Sequence, residues 1–103
     1  MYNYNNILKC IETVKALNTT ASKKADHFPL YFELKKTFDF CLDMTSCVLF
    51  EYDFCNDMFQ YEKAMKGDFK THTKKELDAM YKGSINYLKR QLSELLKTIE
   101  EPA

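Results

Sequence analysis

From Phe38 to Tyr61 the chain carries fifteen apolar or aromatic residues in twenty-four, and no lysine or arginine. Plotted at about 100° per residue, Asp39, Asp43, Ser46, Asp53 and Asp57 share one narrow stripe, while Phe40, Cys41, Met44, Val48, Phe54 and Met58 cover much of the remaining circumference. A helix apolar over that much of its surface must be covered on several sides. The segment is therefore expected to form the core and to offer a surface for self-association.

Two Gly and two Pro in 103 residues leave little material for the turns of a sandwich or barrel, and none for a glycine-rich phosphate loop. The expected fold is all-α, an antiparallel bundle of three long or four shorter helices, oligomeric through the second. One domain over 1–103 buries about two thirds of its unfolded surface and needs no metal or disulfide staple. From Tyr4 to Leu17 apolar residues recur at three and four, which predicts a first helix. It stops in Asn18-Thr19-Thr20, whose short polar and β-branched side chains compete with helical backbone. Asp26 is placed to cap the second helix, with Pro29 tolerated in its first turn.

Unbroken from Phe28 to Lys66, the second helix would reach about 57 Å, too long for a chain whose radius of gyration should be about 13 Å. A break is expected at Thr45-Ser46, where two hydroxyls can bond back to the preceding turn. A competing reading makes Cys47 to Tyr52 a strand, since it is rich in β-branched and aromatic residues, although no second run offers it a partner. Met65 to His72 reads as a loop in which Gly67 stops the preceding helix. Thr73-Lys74-Lys75-Glu76 is a capping box, and the seam that follows through Leu77, Tyr81, Ile85, Leu88 and Leu92 predicts a helix over 73–100.

Net charge is zero, which argues against a dedicated polyanion binder, yet the charge is segregated. Residues 37–62 hold six acids and no base, and residues 63–90 eight bases and three acids. Either the basic flanks neutralise the acidic row in the fold, or Asp39, Asp43, Asp53 and Asp57 present an acidic face to a basic partner protein. The Lys-rich stretch from Lys63 to Lys75, with Phe69 as its one hydrophobic ring, is a weak nucleic-acid signal, and nucleic acid is not an expected partner.

Chemistry is harder to find. A calcium loop needs alternating oxygens around a glycine turn, and a helical di-metal carboxylate site needs a Glu-x-x-His pair; neither is present, and no cofactor or metal is expected. The four cysteines match no C-x2-C spacing. Cys41, Cys47 and Cys55 on one helix lie too far apart to bridge one another, so only Cys10 could pair, and reduced core thiols are expected. His27, beside a helix start, and His72, in a Lys-rich loop, sit where imidazoles are commonly solvated, and each is expected to be structural or solvent-facing. Glu51 points into the apolar side of the assumed helix and needs a partner, with Lys35, His72 or Arg90 as candidates. No nucleophile motif or oxyanion loop accompanies any Ser or Cys, so an enzyme is not expected.

No stretch resembles a signal peptide or a membrane span, so the protein is expected in the cytoplasm with no membrane partner. Seven Tyr and eight Phe exceed what a three-helix core encloses, and exposed rings favour interfaces. Tyr2, Tyr4, Phe28, Tyr31 and Phe32 are the candidates, and a homodimer or larger oligomer accounts for the surplus. The expected function is non-enzymatic occupancy of another protein's surface, through the four aspartates or through Tyr31 and Phe32. The composition is also that of many phage or mobile-element inhibitors and immunity proteins, an analogy without a shared motif. The alternative is an oligomer that sequesters a small anion such as a nucleotide, with Lys35, Lys36, Lys74 and Lys75 as candidate ligand-binding residues.

Overall fold

The computed structural model describes residues 3–99, and the chain within them is all-helical, with no strand. Four α-helices follow one another: α1 (Tyr4–Lys15), α2 (His27–Thr45), α3 (Asn56–Lys63) and α4 (Lys74–Lys97). The radius of gyration is 14.2 Å and the extents are 51 × 24 × 17 Å. Tyr2 and residue 100, the end of the expected last helix, lie outside the described residues.

Helix starts follow capping chemistry at three places, the Cys55 thiol accepting from Met58 N at 3.4 Å at the start of α3. The Asn3 side chain accepts from Asn6 N at 2.9 Å and opens α1. Thr73 and Glu76 close the expected box, Thr73 N donating to Glu76 Oε1 at 2.8 Å and Glu76 N to Thr73 Oγ1 at 3.1 Å. Asp26 does not cap α2. Its carboxylate instead accepts from Ser22 N at 2.8 Å and Lys23 N at 3.0 Å, tightening the turn before that helix.

The long central helix breaks where hydroxyls invite it. Thr45 Oγ1 donates to Cys41 O at 2.7 Å and accepts from Cys47 N at 3.2 Å, and Ser46 turns left-handed with φ 55°. Beyond the break the chain is neither the continuing helix nor the strand. It makes two short 3₁₀ turns, Val48–Phe50 and Tyr52–Phe54, before α3. The aspartate row drawn on one helix therefore does not exist as a row. Gly67 is not a left-handed stop either, since it has no positive φ; α3 widens into a π-helical turn at Ala64–Asp68 and a 3₁₀ turn at Phe69–Thr71.

The core gathers residues from all four helices, among them Ile7, Leu34, Phe38, Met58, Leu77 and Leu88, each fully buried. Phe50 is buried as well, but Val48, Phe54 and Phe59 are exposed, so the segment expected to form the core enters it only in part. No described helix is long and apolar enough to cross a membrane.

Candidate functional site

At ~1.5 Å per residue, the 24 residues of α4 measure about 36 Å, against about 18 Å for the 12 of α1 beside it. Past the end of α1 the same flank of α4 is faced by the irregular chain 16–23. The Tyr81 hydroxyl donates to the Asn18 carbonyl, and the Asn18 side chain accepts from Thr20 N at 3.2 Å, an Asx turn that fixes the bend. A loop held this way cannot interlock with α4 as a helix would, and a groove is left between them.

The groove is three adjoining hollows. One, of about 310 Å³, lies between Ile11, Val14, Leu92 and Leu96, with Lys15 and Lys89 beside them. The next, of about 290 Å³, runs from Lys89 past Asn86 and Ile85 to Lys82, Tyr81 and Thr19. The third, of about 260 Å³, shares Lys82, Tyr81 and Thr19 and ends at Lys74, Asp78 and His27. Lys15, Lys82 and Lys89 are exposed and belong to none of the ion pairs among the described residues. The one acid along the groove, Asp78, is engaged by Lys74 at 2.8 Å and by His27 at 2.7 Å.

That closed end holds a buried polar chain. His27 is 0 % exposed, with Nε2 at 2.7 Å from Asp78 Oδ1 and Nδ1 at 2.7 Å from the Tyr61 hydroxyl. A carboxylate only accepts, so Nε2 carries the proton of the first pair and Nδ1 accepts from Tyr61 in the singly protonated ring. The Lys74 ammonium, and then the His27 contact, hold the Asp78 carboxyl below the usual carboxylate range. Burial pushes the Tyr61 hydroxyl up, as does the nearby Tyr81. Of the two expected roles of His27, structural or solvent-facing, the fold shows the structural one: the helix start on which it lies is packed against Tyr61 and Tyr81, whose rings meet the imidazole edge-on at 5.6 and 6.1 Å.

Of the residues singled out from sequence, the four aspartates are dispersed. Asp39 and Asp53 line a hollow of about 250 Å³ with Glu51, and Asp39 accepts from the Tyr52 hydroxyl at 3.2 Å. Asp57 lies in another, beside Gly83 and Arg90, and Asp43 is exposed on α2. None of the four joins an ion pair among the described residues, so the basic flanks do not pair with them directly. Glu51 is exposed in extended backbone, because the helix that would have turned it inward is absent.

Tyr31, expected at the surface, is 3 % exposed, and its hydroxyl donates to Glu62 at 3.0 Å. Phe32, one position on, is 57 % exposed, and Phe28 is 41 % exposed with its ring 4.6 Å from that of Phe69. The four lysines of the anion-binding alternative do not converge. Lys35 sits 4.0 Å from Glu62 and Lys36 3.6 Å from Glu33, Lys75 is exposed, and Lys74 alone of the four lines the groove.

All four cysteines are free thiols. The Cys41 thiol on α2 is pushed up by its neighbour Cys10 on α1 and by burial. Among the described residues no group of three or more His, Cys, Asp and Glu is placed to hold a metal. No protein-family model matches the chain, and neither a curated protein nor a solved structure matches it.

Proposed function

We propose that the protein is a non-enzymatic binding module that acts by occupying the surface of another protein, and that the groove along α4 is where it does so. The observation that carries this reading is the groove itself, an apolar stretch at Ile11, Val14, Leu92 and Leu96 continued by unpaired lysines. Each hollow is at or below the low end of small-molecule pockets, which run from about 300 to 1,000 Å³. Three in a row suit the successive side chains of a polypeptide better than one enclosed nucleotide. The narrower reading, an inhibitor or immunity protein of a phage or mobile element, has composition behind it and nothing more.

The test is site-specific photo-crosslinking in cells that produce the protein, with the reactive group at Ser93 in the groove or at Lys36 outside it. A single protein adduct that forms from Ser93, not from Lys36, and that disappears with Lys89→Glu supports the reading. Equal adducts from both positions, or an adduct with nucleic acid alone, would remove it.

Self-association is a second reading with its own support. Phe32, Val48, Phe54 and Phe59 are between 45 and 57 % exposed, a surplus of apolar surface of the kind interfaces cover. Light scattering on the wild type and on Phe32→Ser decides it: one mass for both, equal to the monomer, removes the oligomer.

A further inference from the structure

We infer that the groove along α4 receives an acidic amphipathic helix, with its apolar residues seated between Ile11, Val14, Leu92 and Leu96 and its carboxylates set against Lys15, Lys82 and Lys89. This rests on the protein-binding reading above and adds the chemistry of the partner.

Length is the first argument. Lys74 to Leu96 spans about 33 Å of helix axis, and the chain from Ile11 to Ala21 runs beside it in the opposite sense, Ile11 and Val14 by Leu92 and Leu96, Thr19 by Tyr81, Ala21 by Lys74 and Asp78. The trough is as long as a helix of about twenty residues, and helices laid in such troughs bind through anchors spaced at three and four.

Charge fixes the sign of the partner. Lys82 and Lys89 are seven apart, two turns on one side of α4, and Lys15 faces them from the end of α1. With Asp78 already held by Lys74 and His27, the trough has three cations to offer and no unengaged acid. An occupant with carboxylates flanking its apolar stripe complements this, and a basic one is repelled.

Charge decides against one other occupant and the lack of an exposed ring against the next. A second copy of the chain seated by a two-fold axis would bring the same lysines to face themselves, which is unfavourable. Single-stranded nucleic acid gains sequence-tolerant affinity from exposed rings, and the one phenol along the trough, Tyr81, is 3 % exposed.

The experiment is a fluorescence anisotropy titration of the full chain with three labelled probes. The first is a helical peptide of about twenty residues with leucines at three-and-four spacing and flanking glutamates. The second has the same leucines with lysines in place of the glutamates, and the third is a thymidine oligonucleotide. The acidic peptide should bind and weaken with salt, and the basic peptide should bind at least about tenfold more weakly. Lys82→Glu/Lys89→Glu, both at exposed positions, should reduce acidic-peptide affinity by about tenfold or more, each exposed pair being worth up to about fivefold. Leu96→Asp should abolish it while leaving the helical circular dichroism intact.

No binding of the acidic peptide, or equal binding of the basic one, overturns the inference. Equal binding of both peptides, lost with Leu96→Asp, would leave the groove a protein-binding site of different partner chemistry. Oligonucleotide binding that is lost with the lysine variants would sink both the inference and the reading it rests on.

Discussion

His27 and Asp78, separated by 51 residues in sequence, meet at 2.7 Å between Nε2 and Oδ1, and the imidazole is completely buried behind the contact. The carboxylate is 42 % exposed, so the pair spans the boundary between core and solvent. Asp78→Ala leaves Nε2 without its acceptor but admits water to it, and should cost about 1 kcal/mol. His27→Ala empties a buried site and leaves the Tyr61 hydroxyl only its longer bond to the residue-27 carbonyl, 3.4 Å away, and should cost about 3 kcal/mol. Urea unfolding measures both. No loss in Asp78→Ala would mean that the ring is held by packing alone.

Alkali should unfold the protein through its phenols. Burial, with the Glu62 carboxylate added for Tyr31, raises Tyr31 and Tyr81 from 10.0 to about 12, and Tyr52 and Tyr61 are raised as well. A group whose folded pKa is raised holds its proton better folded than unfolded. Its stabilisation is whole below the unfolded value of 10.0 and is lost as pH climbs through about 12. Phenolate absorbance and far-ultraviolet circular dichroism followed together should show most of the phenols ionising with the loss of helix. Smooth ionisation near 10.0 without unfolding would contradict these environments.

In acid the sign reverses. Asp78 is lowered below 3.8, first by Lys74 and then by His27, so its contribution is whole above 3.8 and fades as pH falls through the lower folded value. Asp78→Asn should flatten the acid limb of stability against pH, and Lys74→Met should flatten it partly. An unchanged limb in Asp78→Asn would place the acid sensitivity elsewhere. Half-exposure and screening keep the effect small.

The elements whose causes are local were legible before any coordinates. Thr73 and Glu76 cap α4 through side chains three residues apart, and the long helix breaks at Thr45-Ser46, where the Thr45 hydroxyl bonds back to Cys41 O and Ser46 turns left-handed. The acidic row failed through one extension: assuming helix beyond Ser46 turned Glu51 inward and drew Asp53 and Asp57 into line with Asp39. Two 3₁₀ turns change the rotation per residue, and every face assigned after them is lost. Tyr31 and Phe32 differ in what periodicity places beside them: Leu34 and Phe38 lie three and seven on from Tyr31, whereas Lys35, Lys36 and Asp39 follow Phe32 at three, four and seven, and that spacing marks Tyr31 as the inward ring. The groove and the His27 contact depend on how α1 and its loop lie against α4, which helical periodicity alone does not record.

Ser46 holds a left-handed conformation, φ 55° and ψ 25°, which costs an L-residue with a Cβ roughly 1 kcal/mol. Its side chain is exposed. Ser46→Gly should therefore raise stability by up to about 1 kcal/mol, less what the freer glycine gives back to the unfolded state. Ser46→Val, with its branched Cβ, should lower it. Thermal unfolding of the pair reads the sign directly, and a destabilised Ser46→Gly would mean that the unfolded-state entropy outweighs the relief.

Gly83 lies in the interior of α4, and Asp57 from the first turn of α3 occupies the space a side chain would need. A Cβ there would stand 2.1 Å from Asp57 Oδ2 and 3.2 Å from Asp57 Cβ. Glycine in a helix interior costs about 1 kcal/mol relative to alanine, so Gly83→Ala by itself adds helix stability while evicting the carboxylate. Eviction is cheap for the far end of an exposed side chain, but it removes an acid from the positive end of α3, worth about 0.5 kcal/mol. The single substitution should thus be close to neutral. In an Asp57→Ala background the carboxylate is already gone, the 3.2 Å approach is absorbed by a small shift, and Gly83→Ala should stabilise by somewhat under 1 kcal/mol. A double-mutant cycle in urea isolates the coupling. Equal effects of Gly83→Ala in both backgrounds would show that Asp57 does not rest on that glycine in solution.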